Sequence, residues 1–243
     1  MHTLKYFELI CTVYIKKDIE FKSSFEILSK YISYSMSQTT EFGELHSEDG
    51  FKHYSFANFY PIEKEKVYKK ANTYRFILRS LDEKFINILS KELRQNINNP
   101  NFLVIQADKR TIKQFFITEL YSITPVIISI ANGIFWTMKQ DGNIAKLQKQ
   151  LQDNLEKKYQ NFYNKPIKSE QNFIQLLEIK NRVPQNIQIT KNNKKIRLFG
   201  NKFKIIPNED EISQKLAFIA LACGLGEKNS FGGGFCLGRG MRL

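Results

Sequence analysis

The sequence contains few of the residues and segments that build extracellular scaffolds, metal centres and membrane spans. Its three cysteines, Cys11, Cys223 and Cys236, are an odd number without metal-ligand spacing, which indicates reduced, mostly buried thiols. The longest apolar stretch, residues 126–138, is shorter than the ~18 residues that span a bilayer and is broken by an Asn-Gly pair. The first residues lack the basic start and cleavage site of a secretory signal. We therefore expect a soluble, cytoplasmic protein without a membrane partner.

Histidine is also scarce, and this limits the chemistry that the chain can perform. The 243 residues include three histidines, with no HExxH motif and no CxxC motif. The sequence thus predicts neither a metal site nor a cofactor. Histidine's unperturbed pKa, ~6.5, suits proton transfer near neutral pH. His2 lies at the chain terminus and His53 on a predicted strand, whereas His46 lies in a polar loop, where a solvent-exposed bystander is the alternative to a functional role.

Acidic residues are too few to balance the basic ones. The chain has 24 Asp and Glu against 37 Lys and Arg, a formal charge of +13, and the excess is concentrated after residue 120. Residues 182–204 contain seven Lys or Arg and no Asp or Glu, interleaved with apolar side chains. This pattern favours a polyanion-binding strip over a solvated loop. Lys194, Lys195, Arg197 and Lys202 are its candidate nucleic-acid contacts.

The hydrophobic periodicity predicts an α+β fold. Residues 4–14 alternate as in a strand, and residues 20–37 have helical spacing. The first half of the chain gives the order strand, helix, strand, strand, helix, strand, and the second half repeats it. We therefore predict two tandem ferredoxin-like (βαββαβ, RRM-like) domains, residues 1–121 and 122–243.

Three local predictions accompany this architecture. Residues 124–138 are expected to be the extended start of the second domain, with Asn132-Gly133 as a hairpin or bulge signal. Gly200-Asn201 is a plausible tight turn joining two neighbouring strands. Arg75 and Arg79 share one face of a predicted strand, either as phosphate contacts or as part of a solvent-exposed face.

The most specific feature is a glycine-rich segment between the last predicted helix and the last strand. Backbone amides in such a loop can bind phosphate oxygens, and a lysine within it adds charge. It is not a Walker loop, because no Lys-Ser/Thr pair follows, and not a dinucleotide fingerprint, because it follows a helix. A flexible connector is the alternative. The candidate RNA-binding residues in it are Gly224, Gly226, Lys228, Asn229, Ser230, Gly232 and Gly234.

With this segment, the sequence resembles the CRISPR-associated repeat-processing endoribonucleases of the repeat-associated mysterious protein (RAMP) superfamily. Residues 224–230 read GLGEKNS, as this family's loop often does, and the resemblance covers nearly the whole chain. The chain departs from the family at Gly233, where a bulky apolar residue is usual. We therefore expect this loop to pack more loosely.

The resemblance implies a metal-independent endoribonuclease that cleaves CRISPR precursor RNA within its repeats. The ribose 2′-hydroxyl would attack the adjacent phosphate and leave a 2′,3′-cyclic phosphate and a 5′-hydroxyl. It also implies a prokaryotic source and contact with subunits of a CRISPR interference complex. A non-catalytic RNA-binding subunit of such a complex is one alternative, and an unrelated basic protein is another. Monomer and homodimer both stay open, as do hairpin and unpaired RNA.

The same resemblance assigns roles to individual residues. The family's active-site histidine falls on His46, which becomes the general acid or base. A family lysine falls on Lys52 as the electrostatic stabiliser, and a family tyrosine falls on Tyr31, with Tyr34 as a nearby alternative. Because the pKa of a tyrosine is ~10, its role is expected to be positional. His53 is the second candidate for proton transfer.

Overall fold

Two antiparallel sheets of four strands each form the framework of the chain, which the computed structural model describes over residues 3–42 and 50–241. The N-terminal domain contains, in chain order, β1 (Lys5–Ile15), β2 (Ile19–Glu20), α1 (Phe21–Ser37), β3 (Tyr54–Phe56), β4 (Val67–Tyr68), β5 (Thr73–Ser80), α2 (Glu83–Gln95) and β6 (Phe102–Lys113). Its sheet has the order β3-β5-β1-β6.

The core of this domain follows from the two periodicities of its sequence. Strand alternation places Leu9, Cys11 and Val13 on one face of β1, and none of them is exposed. In α1, Leu28 and Ile32 recur one helical turn apart and are likewise fully buried. The fold therefore buries the helix and strand faces that the sequence marks as apolar.

The C-terminal domain repeats this arrangement with two insertions. It contains β7 (Phe116–Ser122), β8 (Ser129–Ala131), β9 (Ile134–Phe135), α3 (Ile144–Tyr163), β10 (Ile174–Ile179), β11 (Gln185–Lys191), β12 (Lys194–Gly200), β13 (Phe203–Pro207), α4 (Glu211–Cys223), a 3-10 turn (Asn229–Phe231) and β14 (Cys236–Met241). Its sheet has the order β10-β13-β7-β14. In both sheets the first and third principal strands are central, as in a ferredoxin-like domain. The predicted tandem ferredoxin-like fold is confirmed.

The predicted boundary between the domains is wrong. β7 belongs to the second sheet, so the division lies before Phe116 and the predicted boundary at 121/122 falls within a strand. Residues 124–138 are not continuously extended, but they contain the short β8-β9 hairpin, and its turn is the predicted Asn132-Gly133 pair. Gly200-Asn201 does not join paired neighbours, because β12 pairs with β11 whereas β13 pairs with β10 and β7.

The β11-β12 hairpin, here called the ribbon, extends from the C-terminal domain onto the N-terminal one. Its turn residues Asn192 and Asn193 both have positive φ, 49° and 58°, as a type I′ hairpin turn requires. Ile187 and Leu198 on its inner face are buried in the core cluster of the N-terminal domain. The Glu26 carboxylate of α1 accepts a hydrogen bond of 3.0 Å from the Thr190 amide. The ribbon is therefore held against α1.

Arg79 ties the two domains together at their centre. Its Nε donates to Glu8 Oε2 at 2.8 Å, and its Nη1 donates to the carbonyl of Cys236 at 2.6 Å. The guanidinium carbon lies 4.4 Å from the ring centroid of Phe235. Arg79 is only 6% exposed, so the structure contradicts a phosphate contact for this side chain.

We expect Arg79→Ala to lower the free energy of unfolding by about 3–5 kcal/mol, because it leaves the Glu8 carboxylate buried without its partner. Urea denaturation measures this decrease. Arg75→Ala is the matched control, since Arg75 lies exposed on the same strand, and its effect should stay within about 0.5 kcal/mol. Equal effects of the two substitutions would contradict the assigned role of Arg79.

Two further expectations concern cysteines and membrane spans. Cys11, Cys223 and Cys236 are free and buried, as expected from their number and spacing. Among the residues that the structure describes, no helix combines the length and apolar character needed to cross a membrane.

Candidate nucleic-acid interface

The glycine-rich loop (224–234) is tightly packed rather than open. A Cβ on Gly234 would lie 1.9 Å from the carbonyl oxygen of Leu225, and one on Gly232 would lie 2.5 Å from the Phe25 ring of α1. Both have positive φ, which glycine adopts without strain. Gly224 and Gly226 are buried as well. These four predicted RNA contacts therefore shape the loop and do not themselves face a ligand, which corrects their assignment.

Gly233 is also closely surrounded, although less tightly than Gly232 and Gly234. A Cβ there would lie 3.0 Å from the Glu227 carbonyl oxygen and 3.2 Å from Ile127 Cγ1. The expectation of looser packing at this position is wrong, because Ile127 and the loop backbone already occupy the space.

The interior of the loop is filled by an ammonium group from α3. Lys158 Nζ donates to the carbonyl of Gly224 at 2.7 Å, to the carbonyl of Gly226 at 2.8 Å and to Asn229 Oδ1 at 2.8 Å. The side chain is 3% exposed, and burial lowers its pKa to about 8. Lys158 was not among the residues predicted from the sequence, although it continues the buried stripe of Leu151 and Leu155 at helical spacing.

The side chain of Asn229 is part of the same network. Its Nδ2 donates to the carbonyls of Leu225 at 3.2 Å and Gly233 at 2.9 Å, and its Oδ1 accepts from Lys158. Every hydrogen-bonding atom of the carboxamide is thus engaged inside the loop. The predicted RNA contact of Asn229 is wrong for its side chain and stays open only for its backbone amide.

The outward part of the loop is the stretch Lys228–Ser230. Lys228 is exposed and adopts the left-handed conformation, with φ 58° and ψ 31°, immediately before the 3-10 turn. The amides of Asn229 and Ser230 donate to no acceptor in the described parts of the chain. Successive amides next to a left-handed residue form a concave anion-binding surface. The loop therefore offers one short segment suited to a phosphate.

This segment contacts α1. The Ser29 hydroxyl donates to the carbonyl of Ser230 at 2.8 Å, and Ser29 is only 5% exposed. Residues 43–49 come shortly after α1 in the chain, and His46, which is one of them, lies outside the described residues.

Lys52 and His53, which follow these residues in the chain, border a cavity of about 100 Å³ that Asp82 and Phe162 also line.

His53 joins this part of the N-terminal domain to α3. Its Nε2 lies 2.6 Å from Asn161 Oδ1, and its ring centroid lies 5.2 Å from that of Phe162. Burial lowers the pKa of His53. α3 therefore contacts both the glycine-rich loop, through Lys158, and the segment that contains Lys52, through Asn161 and Phe162.

Comparison with known proteins places this geometry in a family. The model of the family "CRISPR associated protein Cas6, C-terminal" matches residues 107–237, more than half of the chain. The chain belongs to the Cas6 family. The region that the family model matches includes the ribbon, α3 and the whole glycine-rich loop described above.

Individual Cas6 proteins are similar over almost their full length. The CRISPR-associated endoribonuclease Cas6 2 of Methanocaldococcus jannaschii is 29% identical over an alignment of 230 residues, and the match covers 87% of this chain and 92% of that protein. A solved structure of a CRISPR associated protein Cas6 superposes with a TM-score of 0.71 at 22% identity, covering 96% of this chain and 99% of the other. The solved structure of a RAMP protein binding different RNA substrates superposes with a TM-score of 0.67 at 13% identity, covering 98% of this chain and 100% of the other. These structures share the fold of this chain.

Tyr31 does not have the position that a catalytic residue of this Cas6 chain needs. It is 1% exposed, its hydroxyl donates to the Leu93 carbonyl, and its ring centroid lies 4.5 Å from that of Phe102. Burial also raises its pKa. The assignment of Tyr31 is therefore wrong, whereas the alternative, Tyr34, is 53% exposed on the same helix.

The four candidate nucleic-acid contacts of the basic strip lie in two places, on the ribbon and just after it. Because Leu198 points into the core, alternation places Lys195, Arg197 and Phe199 on the outer face of the ribbon, where all three are exposed. Lys194 is exposed beside the turn. Lys202 follows the ribbon and is partly buried; burial first, and the nearby Lys66 second, lower its pKa.

Proposed function

We propose that this chain is an endoribonuclease that cleaves CRISPR precursor RNA within its repeats. Its membership in the Cas6 family carries the proposal, and the name of its M. jannaschii relative, an endoribonuclease, supports it. The packed glycine-rich loop adds a physical argument, since the segment that carries its outward amides contacts α1, the helix that precedes the His46 segment in the chain.

The proposed reaction is a transesterification within the RNA. The ribose 2′-oxygen attacks the adjacent phosphorus, the bond from phosphorus to the 5′-oxygen breaks, and the products carry a 2′,3′-cyclic phosphate and a 5′-hydroxyl. Such a step needs a base near the 2′-oxygen, an acid near the 5′-oxygen and positive charge beside the phosphorane. We assign proton transfer to His46 and charge stabilisation to Lys52. Tyr34 takes the positional role in place of Tyr31.

The outward amides of the glycine-rich loop provide the proposed phosphate grip. The amides of Asn229 and Ser230 are available as donors, and the exposed ammonium of Lys228 adds charge beside them. Hydrogen bonds from backbone amides to a phosphate position the RNA without reading its sequence. The grip thus fixes one phosphate relative to α1 while leaving sequence selection to other surfaces.

The outer face of the ribbon is the second proposed RNA contact. Lys195→Ala combined with Arg197→Ala should weaken binding of repeat RNA and reduce the slope of log affinity against log salt by about 0.7–0.9 for each phosphate that is no longer neutralised. Filter binding over a salt series measures both. Lys149→Ala with Lys215→Ala removes the same charge from two ion-paired helix lysines and serves as control. Equal decreases in both double variants would contradict a specific ribbon contact.

The test of the proposed function is end-group analysis of repeat RNA incubated with the pure protein in EDTA. We expect a single cut per repeat, with a 2′,3′-cyclic phosphate upstream and a 5′-hydroxyl downstream. Scrambled RNA of equal length is the control for selectivity. Tight, repeat-selective binding without any cut would contradict the nuclease and indicate a non-catalytic RNA-binding subunit.

A further inference from the structure

We propose that Lys158 is a positioning residue whose ammonium sets the shape of the glycine-rich loop and thereby aims the Asn229 and Ser230 amides at an RNA phosphate. The inference rests on the proposed function for its ligand. It assigns a role to a residue on α3 that itself touches no RNA, because it is 3% exposed and enclosed by the loop.

Three oxygens converge on this one group. Lys158 Nζ lies 2.7–2.8 Å from the carbonyl oxygens of Gly224 and Gly226 and from Asn229 Oδ1. A protonated lysine has three donors, so each oxygen receives one hydrogen. Removing the ammonium would leave two buried carbonyls and a carboxamide oxygen without this donor, and each of these groups was solvated in the unfolded chain.

The inward carbonyls determine where the amides point. In a trans peptide, the C=O of one residue and the N–H of the next point in opposite directions. The Lys228 carbonyl accepts from the Phe231 amide at 3.0 Å, and the Asn229 carbonyl accepts from the Gly232 amide at 2.9 Å. The following amides, those of Asn229 and Ser230, therefore point away from the loop's hydrogen-bonded interior.

Asn229 connects the ammonium to these peptides. Its Oδ1 is held by Lys158, and its Nδ2 bridges the carbonyls of Leu225 and Gly233, on either side of the turn. The orientation of the 3-10 turn is thus tied to α3 through a single side chain. Without Lys158, Asn229 would no longer be anchored to α3, and the turn would keep only its contacts with α1 and within the loop.

The charge of the Lys158 ammonium is sensitive to alkaline pH because of the groups around it. The charged or titratable groups facing it are Glu227 on the loop, Cys223 on α4, Cys236 on β14 and His53 beside α3. Burial raises the pKa of both cysteines to about 12 and lowers that of His53, so at pH 8 these three are neutral. Glu227 supplies the one opposite charge among them.

Bound RNA would favour the protonated form of Lys158, because a phosphate at the outward amides adds negative charge nearby. Burial holds the pKa of Lys158 at about 8 in the free protein. Protonation and RNA binding therefore support each other, and RNA affinity should fall as pH rises above about 8. A lysine that merely filled space would not give this dependence.

The experiment compares wild type with Lys158→Met and Lys158→Arg, using Lys149→Met as an exposed control on the same helix. Thermal unfolding and circular dichroism establish that each variant is folded. Hydrogen exchange over residues 224–234 reports the order of the loop. Affinity for repeat RNA with a 2′-deoxyribose immediately upstream of the cut, measured from pH 6.5 to 9.5, reports how strongly the loop amides bind the phosphate.

We expect Lys158→Met to remain folded, to exchange faster in the loop and to bind RNA at least about tenfold more weakly at pH 7, the equivalent of removing one charge-assisted hydrogen bond. Its affinity should lack the alkaline fall that wild type shows, and Lys158→Arg should recover part of the binding. Should Lys158→Met not fold, Lys158→Gln replaces it, with the same expected decrease.

Affinity within twofold of wild type in a folded Lys158→Met, or an unchanged alkaline fall, overturns the inference. Absence of RNA binding by wild type contradicts the proposed function instead. In that case, hydrogen exchange alone decides whether Lys158 orders the loop, since unchanged protection in Lys158→Met also overturns its positioning role.

Discussion

A repeat RNA with a single 2′-deoxyribose immediately upstream of the cut is expected to bind the protein as tightly as the unmodified RNA does and to stay uncut. The proposed nucleophile is the 2′-oxygen of the substrate, so its removal leaves nothing to attack the phosphorus. Binding should persist, because the proposed contacts, the amides of Asn229 and Ser230 and the cations of the ribbon, are made to phosphates. The expected effect is a complete loss of cleavage.

The matched control for that substrate carries the deoxyribose one nucleotide downstream of the cut and should be cleaved at the normal rate. Gel analysis of both RNAs in buffer with EDTA distinguishes attack by the 2′-oxygen of the RNA from attack by a metal-bound water. Cleavage of the upstream-deoxy RNA, or loss of all cleavage in chelator, would show that the 2′-hydroxyl mechanism is wrong.

His46→Ala should lower the single-turnover cleavage rate by about 10²–10⁴-fold with little change in RNA affinity, the range typical of removing a general acid or base. The comparison variant is His53→Ala. Its Nε2 is engaged by Asn161 at 2.6 Å between the domains, so we expect a modest decrease in the free energy of unfolding and a cleavage rate within about tenfold of wild type.

Single-turnover kinetics with separate binding measurements distinguish the outcomes for these two histidines. A larger rate decrease in His53→Ala than in His46→Ala would transfer the proton-transfer role to His53. Equal, small decreases in both variants would remove histidine from the chemistry, and Lys52 and Tyr34 would then be the residues to substitute.

The fold could be predicted because the local pattern of apolar residues marks its buried faces. Leu9, Cys11 and Val13 alternate on β1, and Leu28 and Ile32 recur on α1, so strand and helix follow from spacing alone. The order of the elements then left the ferredoxin-like arrangement as the economical one.

The strand at residues 194–199 was predicted, but β11 and its pairing with β12 in the ribbon were not, for a reason visible in the composition of β11. β11 presents Ile187 and Ile189 between Asn and Gln side chains, and its inner face packs on the other domain rather than on its own sheet. Single-chain periodicity does not indicate which domain covers an apolar face. The Gly200-Asn201 pair then gave a misleading turn signal, because it connects strands of two different sheets.

The candidate site was predicted less accurately than the fold, because its details depend on tertiary contacts. Lys158 and Arg79 are charged, and charged side chains are usually exposed, yet both are buried and donate to backbone carbonyls that no sequence pattern reveals. Tyr31 lies three residues after Leu28 on the buried stripe of α1, a spacing that favours packing over catalysis. The glycines were correctly identified as special, but they serve the close packing of the loop rather than direct contact with RNA.

The proposed mechanism requires the outward amides of the loop and the segment of His46 and Lys52 to hold the same RNA phosphate. Photo-crosslinking of the uncut upstream-deoxy RNA, with 4-thiouridine beside the scissile phosphate and subsequent peptide mapping, tests this requirement. We predict crosslinks to peptides from both residues 43–53 and residues 224–234. Crosslinks confined to one of these segments, or located elsewhere on the chain, would contradict the mechanism.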